Sequence, residues 1–190
     1  MRAHLRIRRG LVAAALIAAA AACSHPSAPP SGAAGSTPSP KPTQGIYRIH
    51  GRGVDGLPVK VQDIVKGAPV YVLKASDVYY STSSNKGRFL NDTIYFYKGS
   101  AVRLTIAAPT ADLNRTTYDF VLTGGVRAKS AQGVTLDCDV MSYNGYTKLL
   151  TATGHVRAVD AQGDVLTGDK AVADLDLQRI HMSGHVGIGR

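Results

Sequence analysis

The sequence predicts an all-β domain over residues 46–190, built of short antiparallel strands joined by turns. Apolar and polar residues alternate with a period of two, which is typical of strands with one buried face. A unit of about 30 residues recurs near the C terminus, where Gly124, Gly154 and Gly184 are equally spaced. All 13 acidic residues are aspartates, so glutamate, a strong helix former, is absent. These three observations together favour β structure.

The first 22 residues are predicted to be a signal peptide. Four arginines precede an apolar run from Leu11 to Ala22. This run is shorter than the ~20 residues that span a bilayer. The ending Ala20–Ala22 followed by Cys23 resembles the lipobox of bacterial lipoproteins, although the usual leucine three residues before the cysteine is missing. We therefore expect lipid on Cys23; a simple secretory signal is the alternative.

A tether is predicted over residues 23–45. Proline, serine, alanine and glycine dominate this stretch, and no apolar period is present. Such a composition favours an extended, unstructured linker, because the segment offers too little apolar surface to bury. Its expected use is to hold the domain away from a membrane surface.

Short strand-like segments follow the tether and are separated by turn signals. Pro69 and Pro109 end two of them, since proline cannot donate to a sheet ladder. Short strands at this spacing indicate a sandwich, a barrel or an open β-roll. The predicted segments before the repeat are 46–50, 59–65, 70–75, 77–80, 94–97 and 101–107.

Residues 118–190 contain one hairpin unit twice and its beginning a third time. In the first copy Leu122 and Val126 take the inward phase, the turn ends at Gly133, and Leu136 lies on the return strand. The third copy offers a single strand over 180–188 with no return strand after it. We expect it to be an open edge that docks with another β-roll; pairing on both sides is the alternative. The predicted edge consists of Ile180, Met182, Gly184, Val186 and Ile188.

Motifs for catalysis, metal binding or cofactor binding are missing from the sequence, so we predict no catalytic site, no metal site and no cofactor. His155, His181 and His185 are residue types that bind zinc or copper, but their strand phase directs them to solvent. Of the formal charge of +9, four positive charges are the arginines of the first 22 residues, and the other basic residues are scattered singly without an aromatic-flanked basic stripe. A nucleic-acid partner is therefore not expected.

The alternating strands resemble the periplasmic lipopolysaccharide-transport proteins LptC and LptA of the OstA-like superfamily. The resemblance rests on YVLKASDVYY, on VRLTIAAPTADLNRTTYDFVLTGGV and on a recurrent L-x-G-x-V … G-x-x-L pattern, and it spans residues 46–190. A membrane-tethered N terminus favours LptC, whose members typically keep an uncleaved transmembrane helix instead of a lipoprotein signal.

The resemblance implies an open β-jellyroll of two facing sheets. It also implies a non-enzymatic protein of the periplasm, anchored at the inner membrane, that passes lipopolysaccharide from an inner-membrane ABC exporter to an LptA-like bridge. Recurrent glycines, including Gly168, would leave the interior without bulk. The residues expected to line a lipid groove are Leu73, Ile94, Phe96, Leu104, Ile106, Leu122, Val126, Leu136, Val140, Val156 and Leu166.

Periodicity alone does not separate a groove from a filled core, because the same inward residues serve both. Two function classes therefore stay open. The first is a lipid-conducting transport component. The second is a structural or assembly β-scaffold lipoprotein that binds protein partners and no lipid.

Overall fold

The computed structural model describes residues 47–190, which form twelve antiparallel strands in one sheet. The all-β prediction is confirmed. The predicted signal peptide, Cys23 and the tether lie outside the described residues. Within 47–190 no helix is long and apolar enough to cross a membrane. The strands are β1 (Arg48–Arg52), β2 (Val59–Val65), β3 (Ala68–Ala75), β4 (Asp77–Ser81), β5 (Lys86–Lys98), β6 (Ala101–Asn114), β7 (Asp119–Ser130), β8 (Thr135–Tyr143), β9 (Leu150–Val159), β10 (Val165–Ala173), β11 (Ile180–Ser183) and β12 (Gly187–Gly189).

Three positions in the sheet are filled by two short strands each. β3 and β4 both pair with β5, and β1 and β2 pair with β4 and β3 respectively. At the opposite edge β11 and β12 both pair with β10. The central strands β5 to β10 pair in chain order as a meander. The sheet therefore has two interrupted edges around a continuous centre.

Every strand position is interrupted or bulged at the same level, along a line that we call the crease. Register shifts occur beside Pro109 in β6, between Thr123 and Val126 in β7, and between Asp137 and Val140 in β8. A bulge adds a residue to one strand and bends it. The crease runs across the sheet through Ser76, Asn91, Pro109, Gly124, Asp139, Gly154, Asp169 and Gly184.

The sheet folds over at the crease, so the two halves of each strand belong to two facing layers. Tyr71 in β3 and Phe120 in β7 have ring centroids 4.9 Å apart. Two strands separate them in the sheet, so if the sheet were flat they would lie at least about 14 Å apart, at ~4.8 Å per strand, and further still because they are offset along the strands. Phe96 and Tyr143 meet in the same way at 4.8 Å. The buried side chains of both layers form one core, as expected for an open jellyroll.

An ion pair ties the free margins of the two layers together. Arg103 in β6 donates from Nε to Asp176 Oδ1 over 2.8 Å, and its second nitrogen reaches the other carboxylate oxygen. Asp176 lies in the turn between β10 and β11, and three strands separate β10 from β6 in the sheet. Both side chains are about three-quarters or more buried. Because two nitrogens of the guanidinium bind the two oxygens of the carboxylate, the relative orientation of the side chains is fixed. The ion pair thereby holds the roll closed on one side.

The recurrent glycines bend the strands, which corrects the prediction that they leave the interior without bulk. Gly124, Gly154 and Gly184 have φ values of +96°, +76° and +90°. Such values favour glycine because a Cβ clashes there. The Asp139 carboxylate covers Gly154, and Asp169 covers Gly184 in the same way one repeat later. Gly124, in the first copy, is covered by Pro109 instead. The repeat therefore preserves the glycine bulge, with an aspartate over it in the last two copies, and through it the crease.

Replacing Gly154 with alanine tests this bulge, with Gly163→Ala as the matched control. Gly163 also has a positive φ, +90°, but its new Cβ would lie in open space. We expect the control to lose roughly 1–2 kcal/mol of unfolding free energy, from backbone strain alone. Gly154→Ala should lose at least about 1 kcal/mol more, because Asp139 must move. Urea unfolding measures the free energy of unfolding of both variants. Equal losses would show that the Asp139 side chain can move away from position 154 without cost.

Candidate functional site

The interior between the layers is filled by the side chains that were predicted to line a groove. Nine of the eleven are buried, with at most 1% of their surface exposed, and they belong to one apolar cluster. The predicted inward phase is therefore right for these nine, and they pack against one another. They are Leu73, Ile94, Phe96, Leu104, Ile106, Leu122, Val126, Leu136 and Val156.

Val140 and Leu166 differ from the prediction. The bulge between Asp137 and Val140 changes the phase of β8, so Met141 takes the buried face and Val140 is half-buried opposite Thr153. A strict period of two misses this change. Leu166 is half-buried because it lies next to the edge, opposite Ile188 of β12, and it packs on the margin of the core.

An aromatic cluster near the open side of the roll was missed by the sequence reasoning. Tyr71, Phe120 and Tyr143 join the predicted Phe96, with ring centroids between 4.8 and 6.3 Å apart. Burial raises the pKa of Tyr71 and of Tyr143 to about 12, so both hydroxyls stay protonated at neutral pH. The strand alternation around Phe120 and Tyr143 in the sequence was the available signal.

The open side of the roll, opposite the crease, has a small cavity of about 220 Å³ that we call the mouth. Lys148 lies at its margin, with its Nζ 6.0 Å from the Tyr143 ring centroid. The mouth thus joins an amine, a carboxylate and tyrosine hydroxyls to the apolar interior. Such a margin suits an amphiphile better than a purely apolar ligand. One layer contributes Asp63, Val65, Val70 and Tyr71, and the facing layer contributes Tyr118, Tyr143 and Lys148.

The predicted edge over 180–188 is not one strand, which corrects that expectation. β11 and β12 are separated at Gly184, where the His185 N–H donates to Asp169 Oδ2 over 3.1 Å. Ile180 and Met182 pack on the core, whereas Val186 and Ile188 are 50% and 86% exposed. Within the described residues both strands pair with β10 alone.

The opposite edge carries a second unpaired margin that sequence reasoning did not identify. β1 pairs with β4 alone and β2 with β3 alone, as far as residues 47–190 extend. A strand edge of this kind exposes backbone donors and acceptors. The exposed apolar side chains along this edge are those of Tyr47, Ile49, Val54, Leu57, Ile64 and Val65.

The histidines do not converge. His155 Nδ1 lies 2.7 Å from Asp139 Oδ2, and His185 Nδ1 lies 2.8 Å from Asp169 Oδ2, so each completes a bulge of the crease. The hydrogen bond and charge of Asp139 raise the pKa of His155. His181 is exposed on β11. The described part of the chain holds no group of three or more His, Cys or Asp side chains suited to a metal ion.

Comparison with known proteins identifies the relatives of this architecture. A family model described as lipopolysaccharide-assembly, LptC-related, matches residues 62–188. The structure is similar to that of LptH from Pseudomonas aeruginosa, the LptA-homologous periplasmic component of a lipopolysaccharide transport device. The TM-score is 0.53 at 8% identity, over 63% of this chain and 94% of LptH. No curated protein matches by sequence. The family match covers about two-thirds of the chain, which therefore belongs to the LptC-related lipopolysaccharide-assembly family.

Proposed function

We propose that this protein is a non-enzymatic lipopolysaccharide-transport component that takes the acyl chains of a glycolipid between its two layers. One observation carries the proposal beyond family membership: a continuous apolar interior reaches a polar mouth on the open side of the roll. Acyl chains would replace the side-chain contacts inside, and the Lys148 amine would meet a phosphate or carboxylate of the headgroup.

Loading requires the layers to part, because the interior is filled. The crease acts as the hinge in this proposal, since bulged strands bend more readily than regular ones. The Arg103–Asp176 pair opposes opening on one side. Parting the layers exposes apolar surface at a cost of about 25 cal/mol per Å², which bound acyl chains would offset.

The proposed place of the protein is the periplasm, between an inner-membrane ABC exporter and an LptA-like bridge, with lipid on Cys23 as the anchor. Intact-mass measurement of the protein from membranes reports this modification directly. We expect a mature chain that begins at Cys23 with added acyl mass. A mature chain without added acyl mass would contradict the anchor.

A protein-binding scaffold without lipid is the second candidate function. The filled interior favours it, because the buried side chains pack against one another, and the two unpaired edges provide surfaces for protein partners. Lipid capture from the interior separates the two functions.

Photo-crosslinking tests the lipid function. A photoreactive residue at Tyr118, in the mouth, and one at Phe96, in the interior, should both capture glycolipid in cells. The matched control is Arg127, which points outward from β7. Melting curves check that each variant is folded before the comparison. Equal capture from Arg127 and Tyr118, or none from any position, would refute transport between the layers and favour the scaffold.

Docking at the C-terminal edge is tested in the same way with a purified LptA-like bridge protein. A photoreactive residue at Ile188, on β12, should crosslink to the bridge. One at Val121, which is 43% exposed in the middle of the sheet, should not. Addition of a strand to the β12 edge would also protect its backbone amides from exchange. Crosslinking from Val121 at the same yield as from Ile188 would show that the bridge protein does not dock specifically at the β12 edge.

A further inference from the structure

Asp92 is buried on the inward face of β5, directly beside the crease. Only 2% of its surface is exposed, and neither carboxylate oxygen has a hydrogen-bond partner in the described part of the chain. Ser130 is the other buried polar residue in the described part of the chain, and it does have a hydrogen-bond partner: its Oγ accepts from the Val134 N–H over 3.2 Å. A buried polar group without a partner is rare in folded proteins and carries a large free-energy cost.

Asp92 borders a depression of about 640 Å³ that follows the crease. The charged groups in this depression are committed to one another. Arg127 Nε donates to Asp137 over 2.7 Å, and His155 lies 2.7 Å from Asp139. Neither basic group is therefore available to Asp92.

The other residues near Asp92, on β6 and β8, carry no positive charge that could balance an ionised carboxylate. β6 contributes Ala107, Ala108 and Pro109, which do not titrate. The Cys138 thiol of β8 donates to the Val140 carbonyl over 3.2 Å, and burial raises its pKa to about 11, so it stays neutral. Asp92 therefore has to be neutral, or it has to be reached by water.

We propose that Asp92 is a proton-operated latch of the crease. Its neutral form lets the two layers close as they do in this structure. Its ionised form draws water into the crease and loosens the bulges at Asn91, Pro109 and Gly124. The crease is suited to this role because its ladder is already interrupted at each strand, so local opening there breaks few regular contacts.

The latch has a definite pH dependence. Burial raises the pKa of Asp92 to about 7, well above the value of ~3.9 for an unfolded chain, and outweighs the opposing effect of its own backbone N–H, which lies near the carboxylate without forming a hydrogen bond of good geometry. The stabilisation by the proton is thus complete below about pH 4, is lost as the pH rises towards 7, and stays lost above it. His155 acts in the same direction, since its raised pKa also favours the protonated folded form. A test must therefore remove His155.

The experiment measures hydrogen-exchange protection factors of the full chain without lipid at pH 5.5 and pH 8. All variants carry His155→Gln. With Asp92 present, amides of the crease should lose at least about tenfold in protection at pH 8, while those at the centres of the layers change little. Asp92→Asn, a neutral isostere, should keep high protection at both pH values. The matched control is Asp112→Asn, on the outer face of β6. Because this variant keeps Asp92, its crease amides should lose protection at pH 8 as those of the parent protein do.

A second measurement needs no substitution at Asp92. The carbon-13 shift of its carboxyl group should titrate near pH 7 in the folded protein. A midpoint near 4, or the same loss of protection in Asp92→Asn, would overturn the latch. Both readouts are made without lipid, so a failure of the latch leaves the transport proposal intact, and a failure of lipid crosslinking leaves the latch intact.

Discussion

The crease is the constraint on which the rest of the structure depends. The long strands β5 to β10 each cross it once, so both layers are made largely from the same strands, and the core between them requires the fold-over. A regular sheet of this width would twist but would not bring Tyr71 onto Phe120. The glycine–aspartate bulges are therefore more important than any single apolar contact, because they direct the apolar faces of the two layers towards each other.

The all-β fold class could be predicted from the sequence, because the alternation of apolar and polar residues is a local property of each strand and holds along most of this chain. The alternation placed Leu73, Leu122 and Leu136 on the inward face correctly. It failed at Val140, where a bulge changes the phase, and at the third repeat, where Gly184 divides the edge. Bulges are decided by contacts between strands, such as Asp169 with the His185 backbone, which no pattern within a single strand contains.

The candidate site was harder to predict than the fold. The mouth brings Val65 and Tyr71 from one layer to Tyr118 and Tyr143 from the other, and this proximity follows from the fold-over, not from sequence spacing. Asp92 shows the same limit. In the sequence, Asp92 stands between polar neighbours just before the apolar run Ile94–Tyr97, where it resembles an ordinary strand boundary, and only three-dimensional burial reveals that its carboxylate has no partner.

The sharing of strands between layers also bears on how proteins of this architecture can change in size. In the described domain, each 30-residue copy adds one hairpin, and each hairpin adds width to both layers at once. The cross-section between crease and mouth is thereby conserved while the roll grows along one axis, as in solenoid proteins. Duplication of one copy is the smallest such step. It would lengthen the protein in the direction of its edges and leave the depth of its interior unchanged.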